Sequence, residues 1–299
     1  MIRGGRLSAA LASRSARRVG VGLLSLLLAA GAGAAPVGTP APQRIASLNL
    51  ASDEILVEIL PAQRLVAVTA VSDEPGTSNI AGRIPPSVPR FRRAELERLV
   101  TLSPDLVVVS EYTDADFLTL LERSGLRFHR MEGLRSLEGV RRAILDLGHA
   151  VGALPAAEAL VTRYDSVLAE LKSRLAGARR PRVLYWSDPM TAGADTAISA
   201  VIEAAGGASV GKEMGLSGIL PVGVERVFLA DPDYVLVGAF PGARTSLADH
   251  PLLGKMRAVR EGKVIEMPNQ LLMTLSQHLA DACWSLGSAL HPDRVSPRP

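Results

Sequence analysis

The sequence predicts an α/β protein made of two Rossmann-like lobes, each with a mostly parallel sheet, joined by one long bridging helix. Three observations predict it. Strand and helix patterns alternate from Arg44 onward, the signature of parallel sheets connected by helices. One segment recurs: in LERLVTLSPDLVVVS the residues Glu97-Arg98, Pro104-Asp105, Val107 and Val109 return as Glu225-Arg226, Pro232-Asp233, Val235 and Val237 of VERVFLADPDYVLVG, all displaced by 128 positions (97 to 225). Between the two copies, Leu160, Tyr164, Val167, Leu168, Leu171 and Leu175 follow a helix-starting Pro155 at helical spacing, and about 20 such residues span roughly 30 Å, enough to run along both lobes.

In chain order, the first lobe reads as a strand at 45–48, a helix from Ser52, a strand at 65–69, a loop, a helix at 94–101, a strand at 106–110, a helix at 115–123 and a strand at 128–131. Each repeated unit is a helix stopped ahead of a Pro-Asp turn that feeds a β-branched strand buried on both faces. The second lobe opens with RVLYW at 182–186, continues through a helix at 196–205 and the repeated strand, and ends with a strand at 263–267 and a helix from Leu271. The expected boundaries are 44–152 for the first lobe, 153–178 for the bridge and 179–295 for the second lobe.

The chain opens with the three parts of a secretory signal. These are an arginine-rich start, an apolar run at 19–30 and Ala32-Gly33-Ala34, after which cleavage is expected. The run is about a dozen residues, short of the ~20 needed to cross a bilayer. Arg17-Arg18 leaves the twin-arginine route open beside the general one. No cysteine lies near the cleavage point to carry a lipid, so a freely diffusing mature protein suggests a Gram-negative periplasm. Residues 35–43 then read as a disordered leader. The 299-residue chain has a formal net charge of +3, but the first 34 residues hold five arginines and no acid. Without them, 28 basic residues face 30 acidic ones, which removes the case for a nucleic-acid partner. One cysteine, Cys283, excludes an internal disulfide framework.

The segments RIASLNLASDEILVEIL, LERLVTLSPDLVVVS, GADTAISAVIEAAGG, VERVFLADPDYVLV and AVREGKVIEMP, in that order around the bridging helix, resemble the periplasmic substrate-binding proteins of ABC importers for iron–siderophore, haem and cobalamin complexes. The resemblance runs from Arg44 to Pro292. It implies a non-enzymatic carrier, expected to act as a monomer, that captures a ferric siderophore or cobalamin between the lobes and delivers it to an ABC importer permease dimer in the inner membrane. The metal chelate is then cargo, and no cofactor is expected. The resemblance also implies that Glu97 and Glu225 dock on arginines of the permease. Two like charges placed symmetrically also suit a two-fold cationic surface on physical grounds. One departure is the loop Arg83-Ile84-Pro85-Pro86-Ser87-Val88-Pro89-Arg90, where many members carry a Val-Gly pair.

Ligands of parallel α/β sheets sit beyond the carboxyl ends of the strands, so the loops there supply the candidates. Asn49 follows the first strand, just before Ser52-Asp53, which read as a helix cap. Tyr112 and Phe240 are equivalent positions after the repeated strand and would make facing platforms for a flat ligand. Trp186 ends RVLYW, with Met190 in the turn behind it. Arg90 and Arg92, beside Phe91, would receive an anionic siderophore or corrinoid phosphate. Asn269, with Gln270 and Met273, follows the last strand. The five histidines (His129, His149, His250, His278, His291) show no ligand-type pairing, so direct metal binding is not expected. A haem carrier of the same family, with Tyr112 as axial ligand, is one alternative. A two-lobed tetrapyrrole chelatase is the other, although no paired acceptor residues stand out. GxGxxG, P-loop and HExxH motifs are absent, and Gly215-Leu216-Ser217-Gly218 lacks the second glycine of a nucleophile elbow.

Overall fold

The computed structural model describes residues 40–240 and 247–298. The signal segment with its cleavage point and residues 35–39 of the leader lie outside the described residues. The leader ends sooner than expected. Pro42 is buried, its carbonyl accepts from Arg64 Nε at 3.1 Å, and the Gln43 amide donates to Asp105 at 2.8 Å.

The first lobe comprises β1 (Ile45–Ser47), α1 (Leu50–Ile59), β2 (Leu65–Thr69), β3 (Arg90–Phe91), α2 (Leu96–Leu102), β4 (Leu106–Ser110), α3 (Ala115–Ser124), β5 (Phe128–Met131) and α4 (Leu137–Ala150). Its five strands are all parallel, in the order β3-β2-β1-β4-β5. That is the doubly wound arrangement, with its switch point between β1 and β4. The β4 sequence LVVVS explains its place inside the sheet. Leu106 and Val108 enter one hydrophobic cluster, Val107 and Val109 the cluster on the other face, and all are buried. Helix α3 starts on the Asp114 side chain, which accepts from the Asp116 and Phe117 amides, and stops at Gly125 with φ +73, a conformation glycine adopts without strain.

The bridge is α5 (Leu154–Arg174), 21 residues beginning with Pro155. It packs on α1 and α4 of the first lobe and on two helices of the second. Its approach to α4 is close: a Cβ on Gly148 would lie 2.3 Å from the Ala157 side chain. Tyr164 donates its hydroxyl to the Leu137 carbonyl at 3.1 Å. Through this helix one hydrophobic cluster runs from Ile45 and Leu56 to Trp284 and Leu290, so the two lobes share a core.

The second lobe comprises β6 (Arg182–Tyr185), β7 (Met190–Ala192), α6 (Ala197–Ala204), β8 (Ala208–Ser209), α7 (Val210–Glu213), β9 (Ile219–Pro221), α8 (Val224–Ala230), β10 (Tyr234–Ala239), α9 (Arg257–Arg260), β11 (Val264–Pro268), α10 (Asn269–Leu272) and α11 (Leu279–Leu290). Its main sheet is parallel, ordered β11-β10-β6-β8, and β7 pairs antiparallel with β9. β10 repeats the division of β4: Leu236 joins the shared core, while Val235 and Val237 join the cluster on the opposite face. The helix expected from Leu271 is in fact two, with a break between Leu272 and Leu279 that serves the site described next.

Candidate functional site

A cavity of about 380 Å³ opens between the lobes, lined from the first by Tyr112 and Arg135 and from the second by Asp195–Ile198, Gly218, Ile219, Leu272, Met273 and Leu275. Tyr112 follows β4, Arg135 follows β5, and Leu272 and Met273 follow β11, so the cavity lies beyond the carboxyl ends of strands in both sheets. A larger hollow of about 630 Å³ is lined by Arg44, Leu65 and Leu102 with neighbours of the first lobe alone. It sits at the opposite, amino-terminal ends of the strands. Tyr112, Ile219 and Met273 are 56%, 50% and 45% exposed, so the cavity walls reach solvent and a ligand larger than the cavity can protrude from it.

Local sequence sets the walls. The Thr196 hydroxyl accepts from the Ser199 amide at 3.1 Å and donates to the Gly193 carbonyl at 2.8 Å, starting α6 at the cavity. Asp195 before it sits at φ +56, which Asp tolerates better than most residues, and its carboxylate accepts from Ser217 Oγ at 3.0 Å. On the facing wall the Arg135 guanidinium lies 5.8 Å from the Tyr112 ring centroid and 3.5 Å from a Glu111 carboxylate oxygen. The Tyr112 phenol, then the Glu111 and Asp195 carboxylates, hold Arg135 firmly in its charged form.

Behind the cavity the lobes are fastened by polar bonds. Glu54 of α1 is fully buried. One carboxylate oxygen accepts from the Asn79 amide and side chain at 3.0 and 2.9 Å, and the other from Thr274 Oγ1 at 2.7 Å and Ser276 Oγ at 2.5 Å. Gln277 donates to the Glu54 carbonyl at 3.0 Å, and Asn79 also donates to the Gln270 carbonyl at 3.0 Å. The break between α10 and α11 supplies these hydroxyls, because it brings Thr274 and Ser276 to one carboxylate oxygen and Gln277 to the backbone carbonyl of the same residue.

Of the sequence-predicted residues, the structure brings Tyr112 into the cavity, as it does Met273. The others it places elsewhere. Trp186 is a correction: it is 3% exposed and packed in the second lobe's core with Leu184, its amide donating to the Leu236 carbonyl at 2.9 Å. The side-chain alternation of β6 continues through it, which turns it away from the cleft. Arg90 is also committed. It forms a two-pronged pair with Asp73 at 2.7 and 3.0 Å and donates to the carbonyls of Ile84, Pro85 and Val88, so it ties down the Pro-rich loop. Arg92 is exposed outside the cavity lining. Asn49, rather than Ser52 or Asp53, caps α1, accepting from the Ser52 amide at 2.9 Å. Met190 closes a tight turn with Ser187 at the start of β7. Phe240 is 50% exposed beside the undescribed residues 241–246 and is outside the cavity lining. Asn269 is 7% exposed and donates to the Gly76 carbonyl at 3.3 Å, adding another interlobe bond.

Sequence reading missed Arg135, Asp195 and Ile219. Arg135 follows the Gly133 turn after β5, and the rule that sought residues beyond strand ends applied to it equally. Asp195 follows β7 and Ile219 opens β9, an antiparallel pair of strands far apart in the chain whose three residues each carry too little alternation to be seen. Glu97 and Glu225 are exposed in the first turns of α2 and α8, and neither forms an ion pair within the described residues. Among the described residues no group of three or more His, Cys, Asp or Glu is placed to hold a metal ion, and no helix is long and apolar enough to cross a membrane.

Two parallel-sheet lobes, a single connecting helix and a cavity at facing strand ends define a two-lobed solute-binding protein. Residues 45–271 match the periplasmic binding protein family, and the chain belongs to that family. Its members serve as substrate-binding components of ABC transporters rather than as enzymes. A cobalamin-binding protein of Halobacterium salinarum is 27% identical over 201 residues, which are 66% of this chain and 54% of that protein. The chain thus spans about half the length of this curated relative. A periplasmic haem-binding protein from Pseudomonas aeruginosa is 25% identical, with a TM-score of 0.70 over 86% of this chain and 95% of that one. The periplasmic vitamin B12-binding protein of Vibrio cholerae has the same fold at 20% identity, with a TM-score of 0.69 over 84% and 97% of the two chains.

Proposed function

We propose that the protein captures a metal chelate, a corrinoid or a ferric siderophore, in the interlobe cavity and passes it to the permease dimer of an ABC importer. The observation that carries this is the cavity itself, walled from both lobes by Tyr112, Ile198, Ile219 and Met273 with few polar groups. Apolar and aromatic walls with a small number of orienting polar groups are what large, flat ligands use. The fully buried Glu54 and the shared core make the lobes a stiff pair, suited to a ligand that enters a preformed groove. The cobalamin-binding relative supports the corrinoid choice.

Export supports the same reading, since the N-terminal pattern is that of a secreted protein cleaved near Ala34 and left without a lipid. The compartment we propose is a periplasm; the curated relative comes from an archaeon, so the family alone does not select a Gram-negative cell. Glu97 and Glu225 would meet basic residues of the permease, with the protein acting as a monomer. Haem is the second reading, because Tyr112 exposes a phenol at the cavity and a 25% identical relative binds haem.

Native mass spectrometry of the mature protein with cyanocobalamin, a ferric hydroxamate, a ferric catecholate and haemin in equal amounts tests the proposal. One retained 1:1 adduct is expected. A folded protein that retains none of the four would overturn it.

A further inference from the structure

We infer that the cavity selects metal chelates with a neutral, amide-bearing periphery over those edged with carboxylate or catecholate, and that Asp195 and Glu111 make the choice. The inference rests on reading the cavity as the chelate site and specifies its charge preference. Among the described lining residues only Arg135 and Asp195 are charged. Glu111 stands directly behind Arg135, its oxygens 3.5 Å from the guanidinium and 2.7 Å from the Leu134 amide. Counting both walls, two carboxylates therefore stand against one guanidinium at the cavity, and the local charge is negative before any ligand arrives.

Neither arginine that the sequence offers to an anion lines the cavity. Arg90, offered together with Arg92 as an anion receiver, is paired with Asp73 and spends its remaining donors on loop carbonyls, and Arg92 is exposed outside the cavity lining. The N-terminus of α6 points its partial positive charge at the cavity, but Thr196 caps it and the Asp195 carboxylate stands in front of it. Asp195 is held there by Ser217 and by a left-handed backbone conformation, and residues kept in uncommon conformations concentrate at functional sites.

A primary or secondary amide matches this pair of groups. Amide carbonyls can accept from Arg135 and amide N–H groups can donate to Asp195, whereas a carboxylate can only accept and leaves Asp195 facing a like charge. Cyanocobalamin, neutral overall with amides around its ring, and neutral ferric trihydroxamates built on peptide amides present such an edge. Haem, with two propionates, and ferric catecholates, with net negative charge, do not.

The test is equilibrium titration of the wild type, Asp195→Asn and Glu111→Gln with cyanocobalamin, a ferric trihydroxamate, haemin and a ferric tricatecholate, at low salt and at about 0.5 M salt. In the wild type at least one neutral chelate should bind about tenfold or more tighter than either anionic one. Asp195→Asn should tighten the anionic chelates by roughly three- to tenfold, since removing a like charge near a surface site is worth about that much, and weaken the neutral one, whose N–H loses its charged acceptor, so that the neutral-to-anionic ratio falls. Salt should narrow the gap. The two neutral probes distinguish a corrinoid from a hydroxamate source. An anionic chelate that binds the wild type as tightly as the neutral ones, or a ratio that neither variant moves, overturns the inference while the chelate reading stands. A folded protein that binds none of the four overturns the chelate reading and this inference with it.

Discussion

Asp105 and Asp233, 128 positions apart, close the same joint in the two lobes. Asp105 Oδ2 accepts from the Arg44 amide at 2.9 Å while its own amide donates to the Arg44 carbonyl at 2.7 Å; Asp233 does the same with Arg182 at 2.9 and 2.8 Å. Each aspartate follows a helix that ends on a left-handed residue, Ser103 at φ 44 and Asp231 at φ 38. The repeat seen in the sequence is therefore a repeat of hydrogen bonds, joining the end of one helix to the start of the lobe's central strand.

Replacing either aspartate by alanine should destabilise the protein by about 1–3 kcal/mol, the usual cost of leaving such amides without their charged acceptor. The Arg182 amide, together with Arg257 and Arg179, holds the Asp233 carboxyl below its ordinary value. Its contribution is thus present above the unfolded pKa of 3.8 and is lost as pH falls through the lower folded value. Urea unfolding at neutral pH and near pH 3 checks both points. A cost for Asp233→Ala that is the same in acid contradicts the assignment.

Asp53 has the opposite sign. It is wholly buried in α1, and burial pushes its carboxyl up to about 6 against the opposing bonds from Ser47, Ser72 and Thr69. The folded state holds this proton more tightly than the unfolded chain does. Its stabilising contribution is therefore complete below about pH 3.8, declines as pH rises and is gone above about 6. Asp53→Asn should remove a slope worth about 3 kcal/mol across that window, whatever constant cost the amide adds. Unfolding free energies at half-unit intervals from pH 4 to 7 measure it, and parallel curves for wild type and variant would refute it.

Trp186→Ala should cost about 3–5 kcal/mol of stability, as for other large buried side chains, and leave the affinity for ligand unchanged in the folded protein. Thermal unfolding with a ligand titration separates the two effects. Weakened binding at unaltered stability would return Trp186 to the cleft.

These residues show what the sequence made legible. β4 and β10 were readable because a strand buried on both faces is an unbroken β-branched run, and α5 because 21 residues carry several turns of apolar spacing. Trp186 was misread for a physical reason: a strand end reads the same whether its last side chain alternates toward core or cleft. Arg90 failed similarly, since a guanidinium offered to a ligand and one spent on Asp73 and three carbonyls have the same local sequence. The Glu54 fastening was beyond reach, because its partners in the other lobe, Thr274 and Ser276, lie more than 200 positions away in a break that interrupts an apparently continuous helix. At the cavity, only Tyr112 and Met273 carried a signal strong enough to single them out.

Reversing charge at both matched positions, with Glu97→Arg and Glu225→Arg together, should leave ligand affinity within about twofold, because both residues are exposed on helices outside the cavity lining and screened at physiological salt. Uptake by cells that express the variant should be lost if these carboxylates meet a cationic permease surface. Uptake at the normal rate would remove the docking role.

If the interlobe cavity holds the chelate, filling the cavity must abolish binding. Ala197 lies in its wall at the first turn of α6, and an indole there would fill much of the space. The direct measurement is a binding isotherm for the retained chelate with the wild type and Ala197→Trp, both shown to be folded by circular dichroism. The wild type should bind 1:1 and the variant should lose at least about a hundredfold in affinity, the effect of a bulky obstruction at a packed contact. Equal affinity in the two proteins would contradict the cavity assignment and place the ligand elsewhere.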